Sequence, residues 1–249
     1  MKGHSIILEA PVYTIDAAMK AFAGGVDRLE LCADFTEGGT TPSLGVFRTI
    51  KRSMDIPVFV MIRPRGGDFI YSEKELEAMK EDILFFKNHG ADGFVFGILD
   101  ETGRVNKAAC RELLSLAKNK PCTFHRAFDV TTDMEEAIDT LISLGFHRIL
   151  TSGGENSVGE GIQKIKRLLD LANNRIIIMP GGGTQTEHLL ELNQNHQLRE
   201  VHASCKKVSA TESDHKKHLK RSILPELEGA FLTVDEDLVR EFKKVLSNI

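Results

Sequence analysis

One unit recurs along the chain: a helix-like stretch ends in glycine, a short polar link follows, and a brief apolar run comes next. It is present in "AFAGGVDRLELC", "KNHGADGFVFG" and "SLGFHRILTSGG". Glycine directly after a helix supplies the left-handed backbone of a C-cap. The aliphatic runs are too short for helices and suit strands covered on both faces, the pattern of a parallel sheet. Each copy therefore reads as the joint between a helix and the next parallel strand.

Extending this reading gives candidate strands near 6–9, 28–32, 57–63, 93–97, 122–126, 148–152, 176–180 and 200–204. Between them, Ser72-x-x-Glu75, Thr132-x-x-Glu135 and Thr184-x-x-Glu187 have the form of capping boxes, and Leu76, Met79, Ile83 and Phe86 form an apolar stripe at helical spacing. Eight β/α units in 249 residues is the size of a (β/α)8 TIM barrel. An open Rossmann sheet would call for G-x-G-x-x-G after the first strand, where this chain has "EAPVYTIDAA". The expected fold is α/β: one TIM-barrel domain over 1–249, with a long polar loop at 206–232 after the eighth strand. A final helix is expected at 235–247, striped by Leu238, Phe242 and Val245.

Composition narrows the partners. A formal net charge of -4 and a pI near 6.2 leave no nucleic-acid or membrane-surface footprint, so a small molecule is the expected ligand. The N-terminus has no signal-peptide core and no run long enough to span a bilayer, which makes the cytoplasm the expected compartment. Cys32, Cys110, Cys122 and Cys205 include no C-x-x-C pair and read as reduced thiols.

In a TIM barrel the ligand site lies where strands end and loops to the next helix begin. Nearly every candidate strand here ends polar: Glu9; Glu30 and Cys32; Arg63 and Arg65; His125, Arg126 and Asp129; Thr151 and Ser152; His202 and Ser204. The seventh ends in Gly181, Gly182 and Gly183, with Thr184 as the expected N-cap, which would turn free N–H groups toward the mouth. Arg63, Arg65 and Arg126 are suited to a carboxylate or phosphate, and Ser152, His202 and Ser204 would complete the lining. His125, Glu30, Glu9 and Asp129 are the candidate acids and bases. A competing reading makes Arg63 a structural ion-pair partner of Glu30 or Glu9. His215 and His218 in "HKKHLKR" have metal-ligand spacing, but the lysines between them favour a solvated loop.

Six segments in order, "RLELCADFTEGGTTPSLG", "PVFVMIRPRGGDFIYSEKE", "GADGFVFGIL", "TFHRAFD", "RILTSGG" and "EVHASC", resemble the copper homeostasis protein CutC family from Ile7 to about Cys205. The resemblance implies a TIM barrel, a cytoplasmic location, a homodimer or higher homo-oligomer, and copper handling with Cu(I) as ligand. Cu(I) is soft and prefers thiolate or thioether donors. Cys32, in the family's second-strand motif, is the first candidate and Cys205 its best partner; Cys110 and Cys122 read as structural, and Met61 as core packing that could add a thioether. Positive charge near Cys32 would lower a thiol pKa yet repel the metal. Two functional readings stand: copper binding, or an enzyme acting on a small anionic metabolite.

Overall fold

The computed structural model describes residues 5 to 210 and 230 to 249. Strands and helices alternate: β1 (Ile7–Val12), α1 (Ile15–Gly24), β2 (Arg28–Leu31), α2 (Leu44–Ser53), β3 (Val58–Met61), α3 (Glu73–Asn88), β4 (Gly93–Phe96), α4 (Lys107–Ala117), β5 (Cys122–Phe124), α5 (Met134–Leu144), β6 (Arg148–Thr151), α6 (Val158–Ala172), β7 (Ile177–Pro180), α7 (Thr186–Leu192) and β8 (Glu200–His202). A hairpin of β9 (Lys206–Ala210) and β10 (Ala230–Val234) then leads to α8 (Glu236–Leu246). The eight parallel strands run in the order β7-β6-β5-β4-β3-β2-β1-β8, so β7 and β8 face each other at the seam of a nearly closed (β/α)8 barrel.

The helix–glycine–strand joints form as the repeat requires. Gly25 and Gly145 cap α1 and α5 at φ +95° and +90°, a conformation costly for any residue with a Cβ. Helix α3 starts on the Ser72–Glu75 capping box and buries Met79, Ile83 and Phe86, with Leu76 partly buried beside them. Helix α8 starts on Asp235 and buries Val239, Phe242 and Leu246, so Leu238 and Val245 flank the buried stripe.

Several expectations need correcting. The stretch 206–232 is not a featureless loop: its two ends pair as β9 and β10, and Thr233 bonds Asp16 on α1, which anchors the hairpin to the barrel. His215 and His218 lie outside the described residues. Helix α5 is capped by Asp133, because the Thr132 N–H is tied to the Gly103 carbonyl; α7 begins after Gln185, because the Thr184 hydroxyl donates back to Pro180. Most strands end one or two residues earlier than their apolar runs suggested. β1 instead continues three residues past Glu9, and this places Glu9 inside the barrel and not at its rim.

Alternation puts every second strand residue inside the barrel. The lower interior is unusually charged. Arg28 reaches Glu9 (2.5 Å) and Glu200, Arg148 reaches Glu200 (2.9 and 3.3 Å), and both guanidiniums lie over the Phe59 ring at 4.6 and 4.9 Å. Buried ions are tolerated only when paired in this way, since an unpaired one costs several kcal/mol. The network fills the lower barrel interior, and the polar side chains of the strand ends gather above it.

Candidate active site

Above the charged network, the C-terminal end of the barrel encloses a cavity of about 500 Å³. Its floor is a carboxylate–imidazole–carboxylate row. Glu9 Oε1 lies 2.9 Å from His202 Nδ1, and His202 Nε2 lies 3.9 Å from Glu30 Oε2. Burial alone would raise the Glu9 carboxyl, but Arg28 and His202 outweigh it and hold it at about 2. Among the described residues Glu30 forms no ion pair with an arginine, and Arg28 acts on it only from a distance. Burial, reinforced by the charge on Glu9, pushes it up to about 7 against the pull of His202. Burial opposes a charge on His202 too, yet Glu30 and Glu9 together raise its pKa. Glu30, with its carboxyl raised to about 7, lies in the range in which a side chain both gives and takes a proton efficiently, and His202 stands 3.9 Å away.

His125 and Arg63 stand on the wall. The Ala127 N–H donates to His125 Nδ1 (3.2 Å), which fixes the proton of the neutral ring on Nε2, and that atom is buried without a partner. Burial, then the Arg63 charge, push its pKa down to about 3, so the ring is a neutral donor at any physiological pH. Arg63, 5% exposed, donates to the carbonyls of Glu37, Gly39 (3.0 Å) and Gly67 (2.9 Å) and lies over the Phe69 ring at 5.0 Å; its buried Nε has no well-formed hydrogen bond among the described residues, and the buried Tyr71 hydroxyl lies near its guanidinium. Its acceptors are uncharged carbonyls, so the structural ion pair with Glu30 or Glu9 does not form. Glycines make the room: a Cβ on Gly97 would sit 2.6 Å from His125 Nδ1, and one on Gly181 would lie 3.0 Å from His202 Cβ.

The remaining expected residues divide. Arg126, Gly182, Gly183 and Ser204 line the cavity. Gly181 spends its N–H on the Thr151 carbonyl, so that position spaces the barrel interior and offers no donor to a ligand. Asp129 accepts from Arg126 (2.7 Å), Thr151, Ser152 and Gly154, and Ser152 in turn bonds Asp129 and Glu155; both hold the β6–α6 loop and have no free valence for chemistry. Arg65 points away: it binds Glu75 (2.5 Å) and Asp68 (3.0 Å) and ties the β3–α3 loop to the start of α3. Sequence reasoning missed Tyr13, Phe35, Phe69 and Lys206, which wall the cavity, with Lys206 5.0 Å over the Phe35 ring. Tyr13, Phe35 and Phe69 lie in loops beyond the barrel strands, where no periodicity marks direction, and Lys206 opens β9 within the stretch expected to be a loop.

The expected thiol pair does not assemble. Cys32 lies inside the barrel with Phe59, Met61 and Val95, whereas Cys205 belongs to the outer apolar core. Burial, with Glu30 close by, pushes the Cys32 thiol well above its usual range, and its S–H donates to Glu30 Oε2 at 3.6 Å; the arginine effect expected at this thiol is outweighed. Burial likewise pushes Cys205 up to about 12. Neither sulfur is a ready thiolate. Glu9, Glu30 and His202 are near enough to one another to suggest a metal cluster, but both Glu9 oxygens and His202 Nδ1 are already spent on the row and on Arg28.

Known proteins share this architecture. The CutC family model matches residues 6–207. A human copper homeostasis protein cutC homolog is 48% identical over 203 residues, covering 82% of this chain and 74% of the relative. A family protein CutC of Agrobacterium fabrum is 40% identical over 247 residues, covering 99% and 96%. The crystal structure of a copper homeostasis protein CutC of Streptococcus agalactiae superposes with a TM-score of 0.75 at 38% identity, covering 80% of this chain and 98% of that one. With the family model spanning most of its length and relatives at this identity across nearly all of it, the chain belongs to the CutC family.

Proposed function

We propose that this chain is a cytoplasmic TIM-barrel enzyme that binds a small carboxylate- or phosphate-bearing molecule in the mouth cavity and moves a proton on it through Glu30 and His202. One observation carries the reading. Three buried polar side-chain atoms that have no hydrogen-bond partner among the described residues, Glu30 Oε1, Arg63 Nε and His125 Nε2, belong to residues lining the same cavity. An orphaned buried polar group costs about 1–3 kcal/mol, so three around one cavity are best accounted for by a ligand that satisfies them. Arg63, Arg126 and Lys206 supply positive charge, and Tyr13, Phe35 and Phe69 supply apolar wall. Four free cysteines are in keeping with a reducing compartment.

Thermal denaturation with inorganic phosphate, pyruvate and citrate tests the reading. A ligand present at a hundredfold excess over its Kd adds about 2.7 kcal/mol of stability, which raises Tm by roughly 5–10 °C in a chain of this size. His125→Ala should fold and lose the shift. Absence of a shift with all three anions would sink the reading.

The relatives' names favour a second reading, participation in copper homeostasis with Cu(I) as cargo. Its support in the chain is that Cys32 Sγ and Met61 Cε both flank Gly39, at 3.3 and 3.4 Å from where a Cβ would stand, and bring a thiol and a thioether together. Anaerobic Cu(I) titration against a competing chelator separates the two. Under the copper reading about one ion binds per chain and Cys32→Ser abolishes binding; under the enzyme reading Cys32→Ser leaves anion binding intact.

A further inference from the structure

The geometry points to a carbonyl compound bearing a carboxylate or phosphate as the substrate, and to reversible removal of a proton from the carbon next to its carbonyl as the chemistry. The inference rests on the anion-binding reading above and adds the reaction.

The argument starts from what the three orphaned atoms can do together. His125 Nε2–H and Arg63 Nε–H are both donors, both buried, and belong to adjoining parts of one wall, linked through Phe69, whose ring packs at a tilt against His125 (4.9 Å) and lies under Arg63 at 5.0 Å. Two buried N–H donors in one wall suit an oxygen that gains negative charge during reaction. Their chemistry differs usefully. Arg63 brings full charge, whereas His125 is held neutral by the Ala127 N–H on Nδ1 and so polarises an oxygen without protonating it outright. Glu30 Oε1 is the only acceptor among the three. A carboxylate with one oxygen free and the other held by the Cys32 thiol is oriented to receive a proton, and the floor beneath it offers a route onward through His202.

An oxygen between two donors and an acidic C–H opposite a carboxylate describe an enolisation. The C–H bond breaks as Glu30 Oε1 takes the proton; the C–H electron pair becomes the carbon–carbon double bond, and the carbonyl π pair moves onto the oxygen held by His125 and Arg63. Return of a proton from Glu30 restores the carbonyl. No oxidant, metal or second substrate is needed for the balance. The anionic end of the substrate then falls to Arg126 and Lys206, which line the same cavity and are more exposed than Arg63. Other demands are met as well: the charged network of Arg28, Glu200 and Arg148 fills the barrel below, and Tyr13 and Phe35 pack edge to face at 5.3 Å on the rim. Both limit water around a carbanion-like intermediate.

The experiment follows loss of carbon-bound protons by ¹H NMR in D₂O with two probes, pyruvate for the carboxylate arm and dihydroxyacetone phosphate for the phosphate arm. Their binding is measured in parallel by the thermal shift. The wild-type chain should accelerate exchange of at least one probe by at least about 100-fold over buffer. Glu30→Gln should lose that acceleration by about 10²–10⁴-fold while still binding the probe, and His125→Asn by about 10²–10³-fold. Arg65→Ala should exchange like wild type. Binding without exchange in the wild-type chain overturns the enolisation and leaves the anion site standing; exchange unaffected by Glu30→Gln overturns it too. Failure of both probes to bind while inorganic phosphate or citrate still binds overturns this inference alone; failure of every one of these anions to bind overturns the anion-binding reading with it. Exchange of one probe only assigns the anionic group.

Discussion

Replacing Glu30 by glutamine should make the protein more stable at alkaline pH and change little at pH 4.5. The carboxyl titrates at about 7 in the fold and at about 4.5 in the unfolded chain. Between those values the native state holds a proton that the unfolded state has released, so unfolding releases a proton and stability falls as pH rises through the window. At 1.36 kcal/mol per decade the cost of ionising Glu30 inside the barrel is about 3 kcal/mol by pH 8, and glutamine, neutral throughout, does not incur it. The cause is structural: Glu30 is 3% exposed, lies near Glu9, and forms no ion pair with an arginine among the described residues, unlike Glu9 below it. Urea denaturation of both proteins at half-unit steps from pH 4.5 to 8.5, with m unchanged, reads the difference directly. The advantage of Glu30→Gln should grow with pH up to about 3 kcal/mol and level off above 7. A difference independent of pH, or a variant less stable than wild type at pH 8, would refute the assignment of Glu30 as the strained proton carrier. The gain would come with lost chemistry, the usual exchange at a functional group.

Three further predictions follow from the same contacts. Glu200→Gln removes the anion shared by Arg28 and Arg148 and should cost about 3–5 kcal/mol by denaturant unfolding, because two guanidiniums stay buried over Phe59. Gly97→Ala places a methyl 2.6 Å from His125 Nδ1 and should cost about 1–3 kcal/mol while weakening phosphate or carboxylate binding in the thermal-shift assay, since the ring must move. Arg65→Ala, at a 40% exposed side chain whose partners are on the surface, should change stability by about 1 kcal/mol or less and leave anion affinity unaltered by the same assay.

Much of the site was legible because strand residues two apart share a face. Glu30 and Cys32 do lie together inside the barrel, and so do Met61 and Arg63 at the end of β3. The same rule one step lower marks Arg28, two before Glu30, and Arg148, two before Leu150; these charges stand at strand starts, where spacing alone does not tell a buried plug from a solvated end. Direction in loops was not legible. Arg63 and Arg65 are equally spaced along the chain, yet Pro64 and the turn at Gly66 and Gly67 send one guanidinium into the cavity and the other toward Glu75. Asp129 reads as an acid from its neighbours in sequence, and becomes a loop clamp because the N–H groups of Ser152 and Gly154 come to it from another strand end.

By itself, the sequence determined the repeating β/α unit, hence the barrel, and the end of the barrel at which polar side chains collect; these depend on local spacing, caps and glycines, which act within about ten residues. Only the tertiary structure decided which charges are partnered. Glu9 and Glu30 are chemically alike and sit on adjacent strands, but one is hydrogen-bonded to Arg28 and is held at about 2, while the other feels Arg28 only from a distance and rises with burial to about 7. That difference arises from burial and from partners far apart in the chain. It separates a structural carboxylate from the one proposed to carry the proton.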